Sequence, residues 1–168
     1  MDGMDVQPPL FQAPEVILGV GRSYSADIWN LGVLVWNLLE NTNLFPNIRS
    51  IGLCDPRTHL AAMIAWLGNP PKELLEREEK WANVPWKCSF PNPQGKPSCT
   101  APEFIGGPFF DSEDLVPTDL NIRDSVSSLQ GDDNKLFLDF VGQMLNWLLE
   151  KRKTAKVLLD HPWLGISR

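Results

Sequence analysis

The feature that most constrains the fold is an apolar run from Ser25 to Asn41, SADIWNLGVLVWNLLEN. Between Ile28 and Leu39 only two Asn residues and one Gly interrupt a run of isoleucine, leucine, valine and tryptophan. A helix that is apolar nearly all round is typical of one buried inside a domain. We therefore expect this helix to form the centre of the core. A membrane-spanning helix needs about 20 apolar residues, which this interrupted run does not provide.

Both ends of this helix carry local signals. Ser25 is predicted to be the N-cap residue, because its hydroxyl can accept a hydrogen bond from a free backbone N–H of the first turn. Asp27 lies in that first turn, where a carboxylate interacts favourably with the helix dipole. Asn41, or the loop from Asn41 to Asn43, is predicted to end the helix.

The composition is that of one globular domain. The chain has 168 residues, of which 43% are hydrophobic, and it contains seven Trp and eight Phe, enough for a packed core. The 15 Lys and Arg against 21 Asp and Glu give a net charge of -6. This charge argues against binding to nucleic acid or to an anionic membrane, and it favours a basic partner.

The cysteines and histidines indicate neither a metal site nor a disulfide framework. The three cysteines lie far apart without a CxxC motif, and the chain has only two histidines; the five residues are Cys54, Cys88, Cys99, His59 and His161. The N-terminal residues lack the charged and apolar regions of a signal peptide. We therefore expect a protein of a reducing intracellular compartment, cytoplasmic or nuclear, with free thiols.

Two further strong helices are predicted. The first follows the cap Asp55 and the helix-starting Pro56, and it ends at Gly68. The second is opened by Asp132 and Asp133 and continues through NKLFLDFVGQMLNWLL, with apolar residues along one face.

The remaining segments are shorter. Residues 70–81 predict a charged helix, and a last short helix is capped by Thr154 and stopped by Pro162. Residues 1–10 are predicted to be a tail, and about 82–131 a loop-rich insert. The stretch Glu15–Leu18 fits either a strand or a helical turn, and the glycines that follow it fit a turn. Strand signals are scarce, so we expect a mainly α fold.

Four short motifs, in order, resemble the C-terminal lobe of eukaryotic protein kinases: Ala13-Pro14-Glu15, Asp27-Ile28-Trp29-x-x-Gly32, Arg152-x-Thr154-Ala155 and His161-Pro162-Trp163-Leu164. The segments QAPEVILG, SYSADIWNLG and HLAAMIAWLGNPPKELLER look most like the SR-protein kinase family of serine/threonine kinases, particularly its fungal members. The resemblance implies a truncated, kinase-like helical subdomain over residues 11–168, without the sheet of the N-terminal lobe and without a catalytic loop.

The resemblance implies structural roles for six residues. It pairs Glu15 with Arg152 in a buried ion pair, for which a bidentate guanidinium is well suited; the alternative is that both are unpaired surface charges. In the family, the residue matching Asp27 braces the catalytic loop, and the alternative here is a simple helix-start carboxylate. The other family motif positions are Trp29, Gly32 and Trp163.

The catalytic parts of a kinase are a glycine-rich lid, a strand lysine, an Asp base, and Asp and Asn ligands for magnesium. In the family these parts precede the position of Ala13-Pro14-Glu15, where this chain has only a short segment. We therefore expect no catalytic, cofactor-binding or metal-binding residues in this chain. ATP and magnesium belong to the complete family.

Two other segments have a superficial likeness to catalytic motifs. Ile122-Arg123-Asp124 resembles an HRD sequence, but it lacks the His and lies after the motif that should follow it. The stretch from Asp139 to Gly142 resembles a DFG sequence, but it has an extra residue, and Phe140 fits the apolar face of a helix. Neither is predicted to be catalytic.

Two functional hypotheses follow. The first is a truncated, pseudokinase-type lobe without phosphotransfer of its own, which binds a partner through apolar helix surface. The second is a fragment of an active ATP-dependent serine/threonine kinase whose upstream half is missing from the gene model. A set of carboxylates is predicted either to bind a basic Arg-Ser-rich partner or to be simply exposed to solvent. They are Glu73, Glu76, Glu78, Glu79, Asp111, Glu113, Asp114, Asp119 and Asp124.

Overall fold

The computed structural model describes residues 8–21, 23–46, 49–50, 53–81, 85, 89–91, 95–99, 105–106, 109–110, 113–118 and 125–165. Its α-helices are α1 (Pro14–Leu18), α2 (Ser25–Glu40), α3 (Pro56–Leu67), α4 (Lys72–Trp81), α5 (Gly131–Gly142) and α6 (Ala155–Leu158). Short 3-10 helices span Pro9–Phe11, Glu113–Leu115, Leu149–Lys151 and Pro162–Leu164. The fold is mainly α, and the stretch after Pro14 is helical rather than a strand.

Within the ranges given above, the strands are very short and form three separate antiparallel pairs. They are β1 (Arg49–Ser50) with β2 (Leu53–Cys54), β3 (Phe90–Pro91) with β4 (Pro97–Ser98), and β5 (Ile105–Gly106) with β6 (Phe109–Phe110). Four of these strands lie within the predicted insert, much of which falls outside the described residues, as does most of the predicted tail. Cys99 is a half-buried free thiol, and Cys88 lies outside the described residues.

Helix α2 lies at the centre of the core, as its apolarity predicted, but it is not buried on all sides. Trp29, Val33 and Trp36 are buried on one face. The Trp36 ring meets the Trp66 ring of α3 edge to face at 4.5 Å, and it lies 5.6 Å from Phe137 of α5. The opposite face of α2 is exposed at Leu31, Leu34 and Leu38, so the helix is covered on one side only.

The start of α2 also differs from the prediction. Tyr24 is the N-cap residue, and Ser25 is the first residue of the helix. The Ser23 hydroxyl accepts the Ser25 N–H at 3.1 Å, while the Ser25 hydroxyl donates to the Leu149 carbonyl at 2.7 Å. The Ser25 side chain is thus used in a long-range contact and does not cap the helix. Asn41 ends the helix in the left-handed conformation, with φ 51°, as predicted.

Helix α3 has the predicted ends. The Asp55 carboxylate accepts the Arg57 N–H at 2.9 Å, Pro56 is the first helical residue, and Gly68 follows the last turn with φ 73°. These signals act through contacts between neighbouring residues, which is why the sequence alone was enough to place both ends.

Helix α5 is shorter than predicted, since it ends at Gly142 rather than continuing through NWLL. Beyond it the chain forms turns, in which Met144, Leu145 and Leu148 are nevertheless buried. The Asn146 side chain accepts the Leu148 N–H at 3.1 Å, a local bond that competes with a further helical turn. The spacing of the apolar residues predicted their burial correctly, but it predicted a helical backbone where the chain forms turns.

Candidate functional site

The candidate site is built around a buried ion pair between Glu15 of α1 and Arg152, which follows the 3-10 helix Leu149–Lys151. Nη1 of Arg152 donates to Oε1 of Glu15 at 2.7 Å, and Nη2 donates to Oε2 at 2.6 Å. Both side chains are fully buried. This bidentate geometry compensates two charges that would each be costly to bury alone.

Arg152 makes three further contacts. Its Nε donates to the Asn146 carbonyl at 3.0 Å, and its Nη1 also donates to the Ser25 carbonyl at 3.0 Å. Its guanidinium carbon lies 5.1 Å from the centre of the Trp29 ring, within range of a cation–π interaction. Arg152 therefore ties α1, the start of α2 and the turns after α5 to one point.

Trp29 and Gly32 fix how closely α2 packs. Trp29 is fully buried and stacks on Phe45 at 6.0 Å, and its Nε1 has no partner among the described residues. A Cβ atom on Gly32 would lie 3.0 Å from the Met144 Cβ and 3.0 Å from the Leu145 Cδ2. Glycine at this position lets α2 approach the turns after α5.

Trp163 joins the end of the chain to α5. Its ring centre lies 5.1 Å from that of Phe137 and 5.0 Å from that of Phe140. The Trp163 N–H donates to Nδ1 of His161 at 3.1 Å, and Nε2 of His161 lies 2.9 Å from the Asp139 carboxylate. Because Nδ1 accepts the Trp163 N–H, Nε2 is the ring nitrogen placed to donate a hydrogen bond to Asp139.

Asp27 lies on the exposed face of α2 and not in this buried cluster. We call this face, together with the N-cap residue Tyr24, the α2 stripe; its five residues recur every three or four positions, and they are Tyr24, Asp27, Leu31, Leu34 and Leu38. Tyr24 is 93% exposed, Leu31 39%, Leu34 43% and Leu38 73%. An exposed, contiguous apolar surface of this kind is typical of an interaction site.

The structure describes the side chains of only a few of the carboxylates that are predicted to bind a basic partner. Glu73 and Glu76 are exposed on α4, and Asp114 is exposed in the 3-10 helix Glu113–Leu115. The side chains of Glu78, Glu79 and Glu113, and the residues Asp111, Asp119 and Asp124, lie outside the described part.

A contact that no sequence pattern predicted joins Glu40, at the end of α2, to two serines. The Glu40 carboxylate accepts the N–H and the hydroxyl of Ser127 at 2.9 and 2.7 Å, and the N–H of Ser128 at 3.1 Å. Burial raises the pKa of Glu40, but these hydrogen bonds outweigh it, so that the pKa is lowered overall. No short-range pattern links residues this far apart in the chain.

One buried histidine and one surface ion pair were also not predicted from the sequence. His59 of α3 is buried beside Phe45, and burial lowers its pKa to about 3. Its Nε2 has no partner among the described residues. On the surface, Arg77 of α4 binds both oxygens of Glu150, and this hydrogen bonding lowers the pKa of Glu150 to about 2.

The two segments that resemble catalytic motifs have different outcomes. Phe140 is buried in the core, and Asp139 contacts His161 and also accepts a hydrogen bond from Gln143 at 3.1 Å. The stretch 122–124 lies outside the described residues. Within the described ranges, no group of three or more His, Cys, Asp or Glu residues is arranged to hold a metal ion. None of the helices described is long and apolar enough to cross a bilayer.

Comparison with known families identifies the class of this helical domain. The family model described as the protein kinase domain matches residues 5–164, and the chain belongs to this family.

Individual relatives are longer kinases. A serine/threonine protein kinase of Aspergillus fumigatus is 34% identical over 164 residues, which cover 95% of this chain and 35% of the relative. Dual specificity tyrosine-phosphorylation-regulated kinase 3 of Rattus norvegicus is 31% identical over 170 residues, covering 96% of this chain and 27% of the relative. The chain thus spans about a third of the length of these kinases.

Proposed function

We propose that this chain acts as an interaction module, a kinase-derived C-terminal lobe without phosphotransfer activity of its own. The observation that carries the proposal is the α2 stripe, where Leu38 is 73% exposed on the helix that organises the core. Burying a leucine side chain contributes about 1.5–3 kcal/mol, so covering this stripe would stabilise a complex. The Glu15–Arg152 pair supports this role by fixing α2 against its neighbours.

The lack of phosphotransfer is tested directly. The purified protein is incubated with ATP, magnesium and an Arg-Ser-rich peptide, and phosphate incorporation is compared with a control without protein. The Aspergillus fumigatus relative at full length provides the positive control. Incorporation above the control without protein would contradict the proposal.

A second candidate is a fragment of an active serine/threonine kinase. The observation that favours it is length, because the chain covers 35% of the Aspergillus kinase and 27% of the rat kinase. In that case Asp27 would brace a catalytic loop supplied by another segment, which would also cover the α2 stripe. Sequencing the native transcript distinguishes the two: an upstream reading frame that encodes a glycine-rich loop supports the fragment, and a stop codon just before Met1 excludes it.

The finer assignment to the SR-protein kinase type remains part of this proposal. It rests on the segments QAPEVILG and SYSADIWNLG, while the rat relative suggests a kinase of the dual-specificity, tyrosine-phosphorylation-regulated type as the alternative. The exposed carboxylates Glu73, Glu76 and Asp114 support a basic, Arg-Ser-rich partner. The free thiol of Cys99 supports a reducing intracellular compartment, cytoplasmic or nuclear.

A further inference from the structure

A surface contact, which we call the Glu40 clasp, joins the end of α2 to the segment before α5. It consists of the Glu40 carboxylate with Ser127 and Ser128. One carboxylate oxygen accepts the N–H and the hydroxyl of Ser127, and the other accepts the N–H of Ser128. The Ser128 hydroxyl donates to the Leu39 carbonyl at 3.0 Å. Four hydrogen bonds to the last two residues of α2 therefore hold this segment in place.

The clasp carries a negative charge without a described cation beside it. The Glu40 carboxylate is ionised at neutral pH, since its pKa lies below the ordinary value of a glutamate despite the opposing effect of burial. In the part of the chain that the structure describes, its hydrogen bonds come from the two serines and none comes from Lys or Arg. Glu40 also lies at the negative end of the α2 dipole. A second negative group placed here would meet repulsion that no described cation offsets.

The serines of the clasp are accessible to another enzyme. Ser127 and Ser128 are exposed, and residues 125–130 form neither helix nor strand. Between them and the insert, Val126 is only 6% exposed and packs into the core. The clasp thus holds two accessible hydroxyl groups beside a core side chain, so a change at either hydroxyl also affects the packing of Val126.

We propose that Ser127 is a phosphorylation site and that its phosphate opens the Glu40 clasp. A serine kinase transfers the γ-phosphoryl group of ATP: the bond between the Ser127 Oγ and phosphorus forms, the bond between the γ-phosphorus and the bridging oxygen of ADP breaks, and the hydroxyl proton passes to the base of that kinase. Ser127 then lacks the hydroxyl donor that bonds Glu40 at 2.7 Å, and it carries a charge of about -1.5 to -2. Phosphate and carboxylate repel each other, so the segment leaves α2 and Val126 becomes exposed. This inference goes beyond the proposed function and does not depend on it.

Opening of the clasp is tested on the full chain with phosphoserine incorporated genetically at position 127. Hydrogen exchange measured by NMR follows the Ser128 N–H, which bonds Glu40 in the unmodified protein. Loss of this bond should make its exchange about tenfold faster or more. Thermal unfolding should show a Tm lower by about 3–6 °C. An unchanged exchange rate would overturn the proposal, because the phosphate would then be accommodated within the clasp.

Ser23 provides the matched control, since it is also exposed but lies at the N-terminal end of α2. The positive end of the helix dipole attracts a phosphate there, so phosphoserine at position 23 should neither lower Tm nor speed the exchange of the Ser128 N–H. In Glu40→Gln the repelling charge is absent, so phosphoserine at position 127 should accelerate this exchange far less. Equal effects of the two phosphates, or equal acceleration with and without Glu40→Gln, would overturn repulsion from Glu40 as the cause.

Use of the site is tested on the protein isolated from the cells that produce it. Trypsin releases one peptide of residues 124–135, which contains Ser125, Ser127 and Ser128, and fragmentation in the mass spectrometer assigns a phosphate to one of them. Phosphate on Ser127 is expected, whereas phosphate only on Ser125 or Ser128, or none, would overturn the assignment. Purified chain incubated with ATP and magnesium alone is examined in the same way. Phosphate on Ser127 in that sample would support the site but contradict the proposed lack of phosphotransfer, so the two proposals fail separately.

Discussion

Replacing Glu15 with glutamine tests whether the buried ion pair holds the fold together. Glu15→Gln keeps the size and shape of the side chain but removes its charge, which leaves the fully buried guanidinium of Arg152 without a counterion. Removing one partner of a buried pair costs about 3–5 kcal/mol. A whole domain is stable by only about 5–15 kcal/mol, so the loss is a large part of the total.

The measurement is urea unfolding followed by tryptophan fluorescence, with thermal unfolding in parallel. For a domain of this size, about 1 kcal/mol corresponds to a shift of about 2–4 °C in Tm, so Glu15→Gln should lower Tm by about 6–20 °C. Trp29, which lies against the guanidinium, is one of the seven tryptophans whose combined emission follows unfolding.

The chain provides a matched control for this experiment. Glu150 also binds an arginine, Arg77, through both carboxylate oxygens, but this pair is exposed to solvent. Glu150→Gln should therefore cause little loss of stability, because water screens exposed ion pairs. If Glu15→Gln and Glu150→Gln lower Tm equally, burial of the first pair does not matter and the reasoning is refuted. A Glu15→Leu/Arg152→Met double variant should regain stability relative to Glu15→Gln.

Three further predictions concern packing, protonation and one long-range contact. Gly32→Ala should destabilise the fold by about 1–3 kcal/mol in urea unfolding, whereas Gly142→Ala, with open space around it, should not; equal effects would refute the close approach. His59 has a folded-state pKa of about 3, below its ordinary 6.5, so stability is complete above about pH 6.5 and falls as pH decreases. The loss should reach about 2 kcal/mol at pH 5, and His59→Leu should remove this part of the pH dependence; an unchanged slope would refute it. Glu40→Gln should cost about 1 kcal/mol, and Ser127→Ala should add little on that background; additive losses would show that the two do not interact.

The sequence predicted best where structure depends on neighbouring residues. Asp55 caps the start of α3 and Gly68 caps its end, each through contacts with residues a few positions away. At the start of α6, the Thr154 hydroxyl accepts the Val157 N–H at 3.4 Å. The end of α5 was misplaced because apolar spacing reports burial and not hydrogen bonding. Met144 and Leu148 are buried whether the backbone is helical or not.

The candidate site needed information of a different kind. Glu15 and Arg152 are 137 residues apart, and only the resemblance to a family suggested that they pair. No such resemblance applied to Glu40 and Ser127, which are 87 residues apart, and their contact was missed. Composition likewise gave no sign that His59 is buried and neutral.

The exposed face of α2 shows a limit of prediction from apolar residues, which indicate that a helix is buried but not which segment buries it. A helix that is apolar on all sides is expected to be covered on every face in the functional protein, but its sequence does not identify the segments that cover it. The described residues cover the side of Trp29, Val33 and Trp36 and leave Leu38 exposed. Since a lone exposed leucine needs no explanation but a stripe of them does, we infer that another segment or chain covers this face. Both proposed functions, an interaction module and a part of a kinase, therefore require that another segment or chain covers Leu38.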